Sequence, residues 1–165
     1  MQNQTYIRTA DSHDQAAVAD LAVINNMFAV DDLEGLTDAF RGAVNGELDG
    51  HQWFVATTQD GDVVAAAYLA PEPFADRLWN LYFIAVHPSQ HGSGTGTALI
   101  AHLEGLLRAR GEAEARVLIV ETSSTGQYEA TRAFYTARGF DREAQIREFY
   151  GPGDHKVVFW KALAD

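Results

Sequence analysis

The chain has 165 residues, 47% of them hydrophobic, a length that suits one well-buried core rather than two. It contains no cysteine, which excludes disulfides, cysteine zinc ligands and cysteine nucleophiles. The net charge of −11 argues against nucleic acids and anionic membranes as partners, because both select clusters of Lys and Arg. No apolar run approaches the ~20 residues of a membrane helix, and the polar N-terminus is unlike a secretory signal, so we expect a single cytoplasmic domain over residues 1–165.

The acidic charge lies mostly in the first half of the chain. Residues 1–80 hold 13 acids and 3 bases, whereas residues 81–165 hold 10 acids and 9 bases. This distribution draws a cationic ligand towards the first half and repels an anionic ligand less strongly from the second. An acidic surface that only keeps the protein in solution explains most of these charges equally well.

Hydrophobic periodicity and turn residues predict seven strands and four helices. In chain order these are a strand over 4–10, helices over 12–26 and 31–44, strands over 51–59, 62–70 and 77–86, a helix ending before 111, a strand over 115–122, a helix over 128–138, and strands over 140–150 and 155–163. Asp60-Gly61 favours a tight hairpin, and the central strand-helix-strand unit needs a right-handed crossover. The predicted fold class is α/β, a single mixed and mostly antiparallel sheet of six or seven strands with helices on both faces.

Three glycines at alternate positions, Gly92, Gly94 and Gly96, join an apolar strand to a helix. Residues without a Cβ leave successive N–H groups open at the positive end of the helix, and that combination binds phosphate. A turn that only lets strand and helix pack closely would rarely need three glycines. We therefore predict an anion-binding loop.

Two common nucleotide-binding motifs do not fit this loop. A Walker-type loop needs a lysine where Gly96 is followed by Thr97. A dinucleotide fingerprint G-x-G-x-x-G meets Thr97 at its third glycine when started at Gly92, and Leu99 when started at Gly94. A dinucleotide-dependent oxidoreductase remains the weaker alternative.

At these residues the sequence resembles the GNAT superfamily of acyl-CoA-dependent N-acetyltransferases. The family's motif, Arg/Gln-x-x-Gly-x-Gly/Ala, follows a strand that ends in Val-x-Pro. Here Val86-His87-Pro88 precedes His91-Gly92-Ser93-Gly94-Thr95-Gly96, so His91 stands where Arg or Gln is usual. A histidine ring can still donate to a phosphate, more strongly when protonated.

A second block supports the resemblance. Phe134-Tyr135 followed by Gly139-Phe140 is similar to the family's helix and the turn after it, while Tyr128 replaces an asparagine that many members carry. The order and number of predicted elements resemble the family from Tyr6 to Leu163. The resemblance implies a sheet whose fourth and fifth strands splay apart, with the acetyl group in the gap.

The resemblance also implies the residues that bind acetyl-CoA, the expected co-substrate. The main chain of Ile84, Ala85 and Val86 would pair with pantetheine like an added strand. The loop residues implied for the pyrophosphate and its surroundings are His91, Gly92, Ser93, Gly94, Thr95, Gly96 and Thr97. A backbone N–H of Ala85 or Val86 would stabilise the oxyanion.

Acetyl transfer to an amine also needs a proton for the departing thiolate and a base for the amine. Tyr135 suits the first role, because a phenol pKa of about 10 is close to that of a thiol; the alternative is an ordinary core aromatic. Glu121 and Glu34 are ranked as bases ahead of Asp31 and of Asp154 or His155. Asp31 and Glu34 could instead cap the second helix, Asp154 could be a plain turn residue, and water could serve as the base.

Several other residues have two interpretations. Pro88 breaks any helix between His87 and His91, so we expect no metal site. Ser123 and Ser124 could orient an amine or only end the fifth strand. The aromatic residues that could line an acceptor pocket, or else belong to the core, are Trp79, Tyr82 and Tyr150.

We therefore predict an N-acetyltransferase that uses acetyl-CoA and no metal, and acts by direct attack of a primary amine within a ternary complex. The acceptor is expected to be a small cationic amine, since the first half of the chain is acidic; a protein N-terminus or lysine is the other possibility. The resemblance is also compatible with a homodimer. The alternative from another class is a catalytically silent acyl-CoA-binding or sensor domain.

Overall fold

The computed structural model describes residues 4–164 as seven strands and four α-helices. The strands are β1 (Tyr6–Thr9), β2 (Gln52–Thr57), β3 (Val63–Pro71), β4 (Leu78–Val86), β5 (Val117–Ser123), β6 (Asp141–Gly151) and β7 (Asp154–Ala162). The helices are α1 (Gln15–Ile24), α2 (Glu34–Val44), α3 (Thr95–Arg110) and α4 (Glu129–Ala137). Every predicted element is present in the predicted order. Within residues 4–164 none of the helices has the length and apolar character to cross a bilayer.

The strands form one mixed sheet in the order β1-β2-β3-β4-β5-β7-β6. The pairs β1–β2, β2–β3, β5–β7 and β6–β7 are antiparallel. The β4–β5 pair is parallel and joins Leu78–Leu81 to Val117–Val120. A parallel pair connected through α3 is what the strand-helix-strand pattern requires. The predicted mixed and mostly antiparallel α/β sheet is therefore confirmed, with seven strands.

Neither α1 nor α2 has a side-chain cap on its own N-cap residue. The 3₁₀ turn Ser12–Asp14 that precedes α1 is capped, because Asp11 accepts a hydrogen bond from the His13 amide and Asp14 accepts one from the Asp11 amide at 2.8 Å. Before α2, Leu33 occupies the N-cap and no side chain caps the helix. The alternative in which Asp31 and Glu34 form this cap is wrong, because Asp31 lies in a separate 3₁₀ turn, Val30–Asp32.

Contacts divide the chain into two compact units. The first unit comprises Met1–Ala70 and Phe83–Leu103, and the second comprises Pro71–Tyr82 and Glu104–Asp165. In the first unit the Trp53 ring stacks on Tyr68 with centroids 4.7 Å apart, and Phe40 meets it edge-on at 5.3 Å. In the second unit Tyr135 and Phe159 are buried and their ring centroids are 5.4 Å apart.

Candidate functional site

The glycine-rich loop has a backbone that requires glycine at two positions. It leaves β4 through a 3₁₀ turn, Pro88–Gln90, and enters α3 at Thr95. Gly92 and Gly94 have φ angles of 77° and 88°, which L side chains rarely adopt. A Cβ built on either glycine meets no atom within 4 Å, so the space beside the loop is open. Gly96 lies in the first turn of α3, where the backbone does not demand glycine.

The loop amides are largely uncommitted. The Ala98 amide donates to the Gly94 carbonyl at 2.9 Å and begins the helical pattern. Within residues 4–164, the amides of Gly92, Gly94, Thr95 and Gly96 donate to no protein acceptor. They lie at the positive end of a helix of 16 residues. Open N–H groups at a helix N-terminus form a site for an anion, which supports the predicted anion-binding loop.

Side chains around the loop hold its shape. The Ser93 hydroxyl donates to the Gln90 carbonyl at 2.5 Å and lies 2.9 Å from the Thr95 hydroxyl. His91 Nε2 lies 2.9 Å from the Val86 carbonyl, which can only accept, so Nε2 carries the hydrogen. Only Nδ1 is left to reach a phosphate, and it can donate only when the ring is protonated. A contact between His91 and a phosphate would therefore need Nδ1 of the protonated ring, whereas the sequence alone allowed either ring nitrogen.

Tyr135 is a buried phenol with an uncommitted hydroxyl. The residue lies in α4, is 3% exposed, and contacts the rings of Phe134, Phe140 and Phe159. In the described part of the chain its hydroxyl has no hydrogen-bond partner. Burial raises the pKa of this phenol well above its ordinary value. Tyr135 therefore keeps its phenolic proton at physiological pH and can act as a proton donor.

Glu121 on β5 is paired with a cation. Lys156 Nζ lies 3.1 Å from Glu121 Oε2, and the two side chains are 12% and 26% exposed. The same ammonium lies 3.6 Å from the centre of the Phe149 ring. A carboxylate that neutralises a half-buried lysine is poorly suited to take a proton from an amine.

The other base candidates of the second unit are also engaged. The Ser123 hydroxyl donates to Asp154 Oδ1 at 2.5 Å. His155 Nδ1 accepts from the Glu148 amide at 2.9 Å, so the neutral ring carries its hydrogen on Nε2 and has no free lone pair there. The His155 amide donates to the Ser124 hydroxyl at 2.9 Å. These two serines tie the end of β5 to the β6–β7 hairpin.

The two acids of the early helices lie in the first unit. Glu34 is the first residue of α2, and its side chain is exposed, as is that of Asp31. The structure therefore groups Glu121, Asp154 and His155 in one unit and Glu34 and Asp31 in the other.

The predicted pocket aromatics differ in their surroundings. Trp79 is 5% exposed and donates from Nε1 to the Glu114 carbonyl at 3.1 Å, so it is a core residue and not a pocket wall. Tyr82 and Tyr150 are 44% and 47% exposed. Partial burial raises the pKa of Tyr150 to about 12, and the negative charge of Glu121 is the next largest cause of this rise.

One polar cluster was missed in the sequence. Glu72 Oε1 accepts hydrogen bonds from Asn80 Nδ2 at 2.8 Å and from the Tyr82 hydroxyl at 2.5 Å. Asn80 is 1% exposed. The available signal was an asparagine inside the apolar strand LWNLYFIAV, because a buried amide needs partners from elsewhere in the chain.

The two histidines beside the loop are engaged separately. His87 Nδ1 lies 2.8 Å from the Ser89 hydroxyl and accepts from the Ser89 amide at 3.1 Å, while His91 contacts the Val86 carbonyl. Across residues 4–164 no three His, Cys, Asp or Glu side chains are grouped as metal ligands would be.

A family model described as "Acetyltransferase (GNAT) domain" matches residues 49–142. The match covers more than half of the chain and includes the glycine-rich loop and α4. The chain belongs to the GNAT family of acetyltransferases.

Individual relatives agree with this membership. A mycothiol acetyltransferase from Sanguibacter keddieii is 35% identical over 105 residues, which are 61% of this chain and 32% of that protein, so the chain spans about a third of its length. A solved structure from Desulfovibrio desulfuricans, described as an acetyltransferase of the GNAT family, is 29% identical with a TM-score of 0.87, covering 98% of this chain and 100% of that one. The structure of yncA from Salmonella typhimurium with its cofactor acetyl-CoA is 23% identical with a TM-score of 0.74, covering 98% and 95%, and shares the fold.

Proposed function

We propose that this chain transfers an acetyl group from acetyl-CoA to a primary amine by direct attack within a ternary complex. The observation that carries the proposal is the set of uncommitted amides of Gly92, Gly94, Thr95 and Gly96 at the N-terminus of α3, in a chain of the GNAT family. A CoA diphosphate offers the anionic oxygens that such amides bind. The relative solved with acetyl-CoA supports the same choice of co-substrate.

In this proposal the first unit binds CoA. The amides of Gly92, Gly94, Thr95 and Gly96 donate to the diphosphate, and Thr97 lies one residue further along the helix. The main chain of Ile84–Val86 pairs with pantetheine, where the Val86 carbonyl already accepts from His91 and keeps one lone pair for the ligand. The Ser93 hydroxyl supports the loop rather than contacting CoA, because it is already bonded within the loop.

Tyr135 is the proposed acid. The neutral amine attacks the thioester carbon, and a backbone N–H of Ala85 or Val86 stabilises the oxyanion. When the tetrahedral intermediate collapses, the carbon–sulfur bond breaks and the thiolate takes the phenolic proton of Tyr135. Burial raises the pKa of Tyr135, which keeps the phenol protonated until the thiolate departs.

The base is the least constrained part of the proposal. Glu121 and Glu34 remain the residues proposed to accept the amine proton, with water as the alternative base. The Lys156 partner weakens the case for Glu121, and the exposure of Glu34 favours transfer through water to bulk solvent.

A catalytically silent acyl-CoA-binding domain is the second candidate. It is favoured by the engagement of Glu121, Asp154 and His155 in internal contacts, which leaves the second unit without an obvious base. The two candidates differ in turnover, since a sensor would bind acetyl-CoA and release no thiol with any amine.

The proposal includes three further expectations, on the acceptor, on the oligomeric state and on the domain organisation and location. The acceptor is a small cationic amine, and the acidic first half of the chain supports this choice. Homodimer formation is supported by the exposure of Ile146 and Phe149 on β6 at the edge of the sheet. The single domain and the cytoplasmic location stay predictions from the sequence.

The deciding experiment is a thiol-release assay with acetyl-CoA against a panel of polyamines, amino acids, aminoglycosides and peptides. Acetylation of at least one amine, abolished or strongly slowed in Tyr135→Phe with CoA affinity retained, supports the enzyme. Tight acetyl-CoA binding without thiol release for any amine supports the binding domain instead.

A further inference from the structure

The strand β6 forms one edge of the sheet, and within residues 4–164 it pairs with β7 alone. With 11 residues it is the longest of the seven described strands, whereas β1 at the opposite edge has four residues. A long edge strand presents a row of unpaired backbone N–H and C=O groups to another chain, and a very short one does not. The outer side of β6 is therefore the edge at which this sheet can add a further strand.

The side chains of β6 are exposed on both faces. All residues over 141–150 are exposed, including Ile146 at 48%, Phe149 at 53% and Tyr150 at 47%. A strand of a packed sheet buries at least one of its faces, and large apolar side chains grouped on an exposed strand mark a contact surface. The strand therefore has the exposure expected of one that another chain covers.

The charged residues of β6 are complementary to a second copy of the same strand. In chain order they are Asp141, Arg142, Glu143, Arg147 and Glu148. When two copies lie antiparallel with Gln145 opposite Gln145, Glu143 of one copy lies opposite Arg147 of the other. In the same register Arg142 lies opposite Glu148. The two-fold symmetry repeats both pairs, so this register joins opposite charges at four places and like charges at none.

Registers shifted by one residue bring like charges together. A shift in one direction places Arg142 opposite Arg147, and a shift in the other direction places Glu143 opposite Glu148. Like charges directly opposite each other destabilise a strand pair, and a one-residue slip also moves every side chain to the other face. Charged side chains commonly protect an edge strand from pairing, whereas the order of charges on β6 selects one register with its own copy.

The two residues at the inner charged positions are available for this pairing. Within residues 4–164 the exposed side chains of Glu143 and Arg147 form no ion pair or hydrogen bond. The outer pair is partly engaged, because Arg142 donates to Gln145 Oε1 at 2.9 Å and Glu148 Oε1 accepts from the Gly153 amide at 3.3 Å. The contact between Glu143 and Arg147 is therefore the one that a second copy completes most directly.

The backbone of β6 permits a short ladder at this centre. Residues 144–146 pair regularly with residues 156–158 of β7, and bulges flank this segment on both sides. Because bulges bend a strand, the added ladder covers the residues around Gln145, and the long side chains of Glu143 and Arg147 reach across its ends. At the centre Ile146 of each copy lies opposite Ala144 of the other, which covers part of its exposed surface.

We propose that two copies of this chain pair antiparallel along β6, centred on Gln145, with Glu143 of each copy against Arg147 of the other. The occupant of the open edge is a second copy of this chain. This inference rests on the homodimer that the proposed function includes, and it gives that homodimer its interface and its register. It does not depend on the transfer reaction.

The test is sedimentation equilibrium of the intact chain over a concentration series. We expect a monomer–dimer equilibrium with a weaker dimer in about 0.5 M NaCl than in about 0.05 M NaCl, because salt screens exposed ion pairs. Arg147→Glu and Glu143→Arg should each raise the dimer Kd about tenfold or more, since each turns two attractive pairs into two repulsive ones. The double variant Glu143→Arg/Arg147→Glu should restore the Kd of the intact chain, because the charges of the pair are exchanged.

An equal mixture of the two single variants tests the two-fold symmetry. Each variant alone places like charges opposite each other, whereas in the mixed pair both contacts join opposite charges. The mixture should therefore form a heterodimer more tightly than either variant pairs with itself. Arg41→Glu is the matched control, because it reverses the same charge at an exposed arginine of α2, 3.5 Å from Asp38, and should leave the Kd unchanged.

Circular dichroism establishes that each variant is folded, and recovery in the double variant or in the mixture excludes misfolding as the cause of a weaker dimer. A monomer at every concentration overturns the β6 pairing. A Kd that the single reversals leave unchanged, or a double variant as weak as the single ones, overturns it as well. The thiol-release assay tests acetyl transfer separately, so absence of thiol release together with the expected dimer overturns the reaction and leaves the β6 pairing standing.

Discussion

A valine at Gly94 tests the CoA loop where its backbone is most constrained. Gly94 has a φ of 88°, and L residues pay about 1–2 kcal/mol in this region. A Cβ at Gly94 meets no protein atom within 4 Å. In the proposed complex, the valine side chain would compete with the diphosphate for this open space. Loss of one charge-assisted amide contact costs about 1.5–3 kcal/mol, which corresponds to about a tenfold to hundredfold weaker affinity for CoA.

The chain contains a matched control for this substitution. Gly61 in the β2–β3 turn has a φ of 92° and equally open space for a Cβ. Gly61→Val should therefore lose a similar free energy of unfolding in urea denaturation, while its CoA affinity by calorimetry stays that of the intact protein. Equal CoA affinities for Gly94→Val and Gly61→Val, with both proteins folded, would refute the assignment of the loop.

Three further predictions concern single side chains. Tyr135→Phe should lower kcat by about 10²–10³. The affinity for CoA should stay unchanged, because the substitution removes only a hydroxyl without a protein partner. A kcat within a factor of about two of the intact protein would exclude Tyr135 as the acid. Glu121→Gln should lower kcat far less than Tyr135→Phe, since Lys156 already neutralises Glu121; a loss as large as that of Tyr135→Phe would mark Glu121 as the base. Arg8 donates a hydrogen bond of 2.8 Å to Asp14, and this bond lowers the pKa of Asp14 in the folded protein. The pair therefore stabilises the fold at pH values above the ordinary Asp pKa of about 3.9. This stabilisation is lost as the pH falls through the lowered pKa of Asp14 in the folded protein. Asp14→Asn should cost about 1–2 kcal/mol at neutral pH and flatten the acid limb of a urea-denaturation series, and an unchanged limb would contradict this account.

The fold could be predicted closely because its signals are local. Alternating apolar residues, the Asp60-Gly61 turn and the glycine-rich start of α3 each act within a few residues. The order of the strands is not local, because β7 lies between β5 and β6 and β1 pairs with β2 across two helices. The start of α2 was less predictable. Asp31 and Glu34 have the chemistry of a cap, yet a separate 3₁₀ turn takes up the residues before Leu33.

The candidate site could be predicted only in part, because side-chain partners depend on the sheet. The loop glycines carry their own signal, since a positive φ selects glycine at Gly92 and Gly94. The pairing of Glu121 with Lys156 arises from the β5–β7 ladder, which no local pattern encodes. Glu72 was missed for the same reason, as its donors Asn80 and Tyr82 lie on the next strand.

The most direct measurement is a titration of the ¹⁵N-labelled protein with CoA, followed by amide NMR. The account predicts that the amides of Gly92, Gly94, Thr95 and Gly96 shift most, as donors to phosphate, while the amides of Gly61 and Gly153 stay in place. Saturable CoA binding that leaves the loop amides unshifted would contradict the central claim.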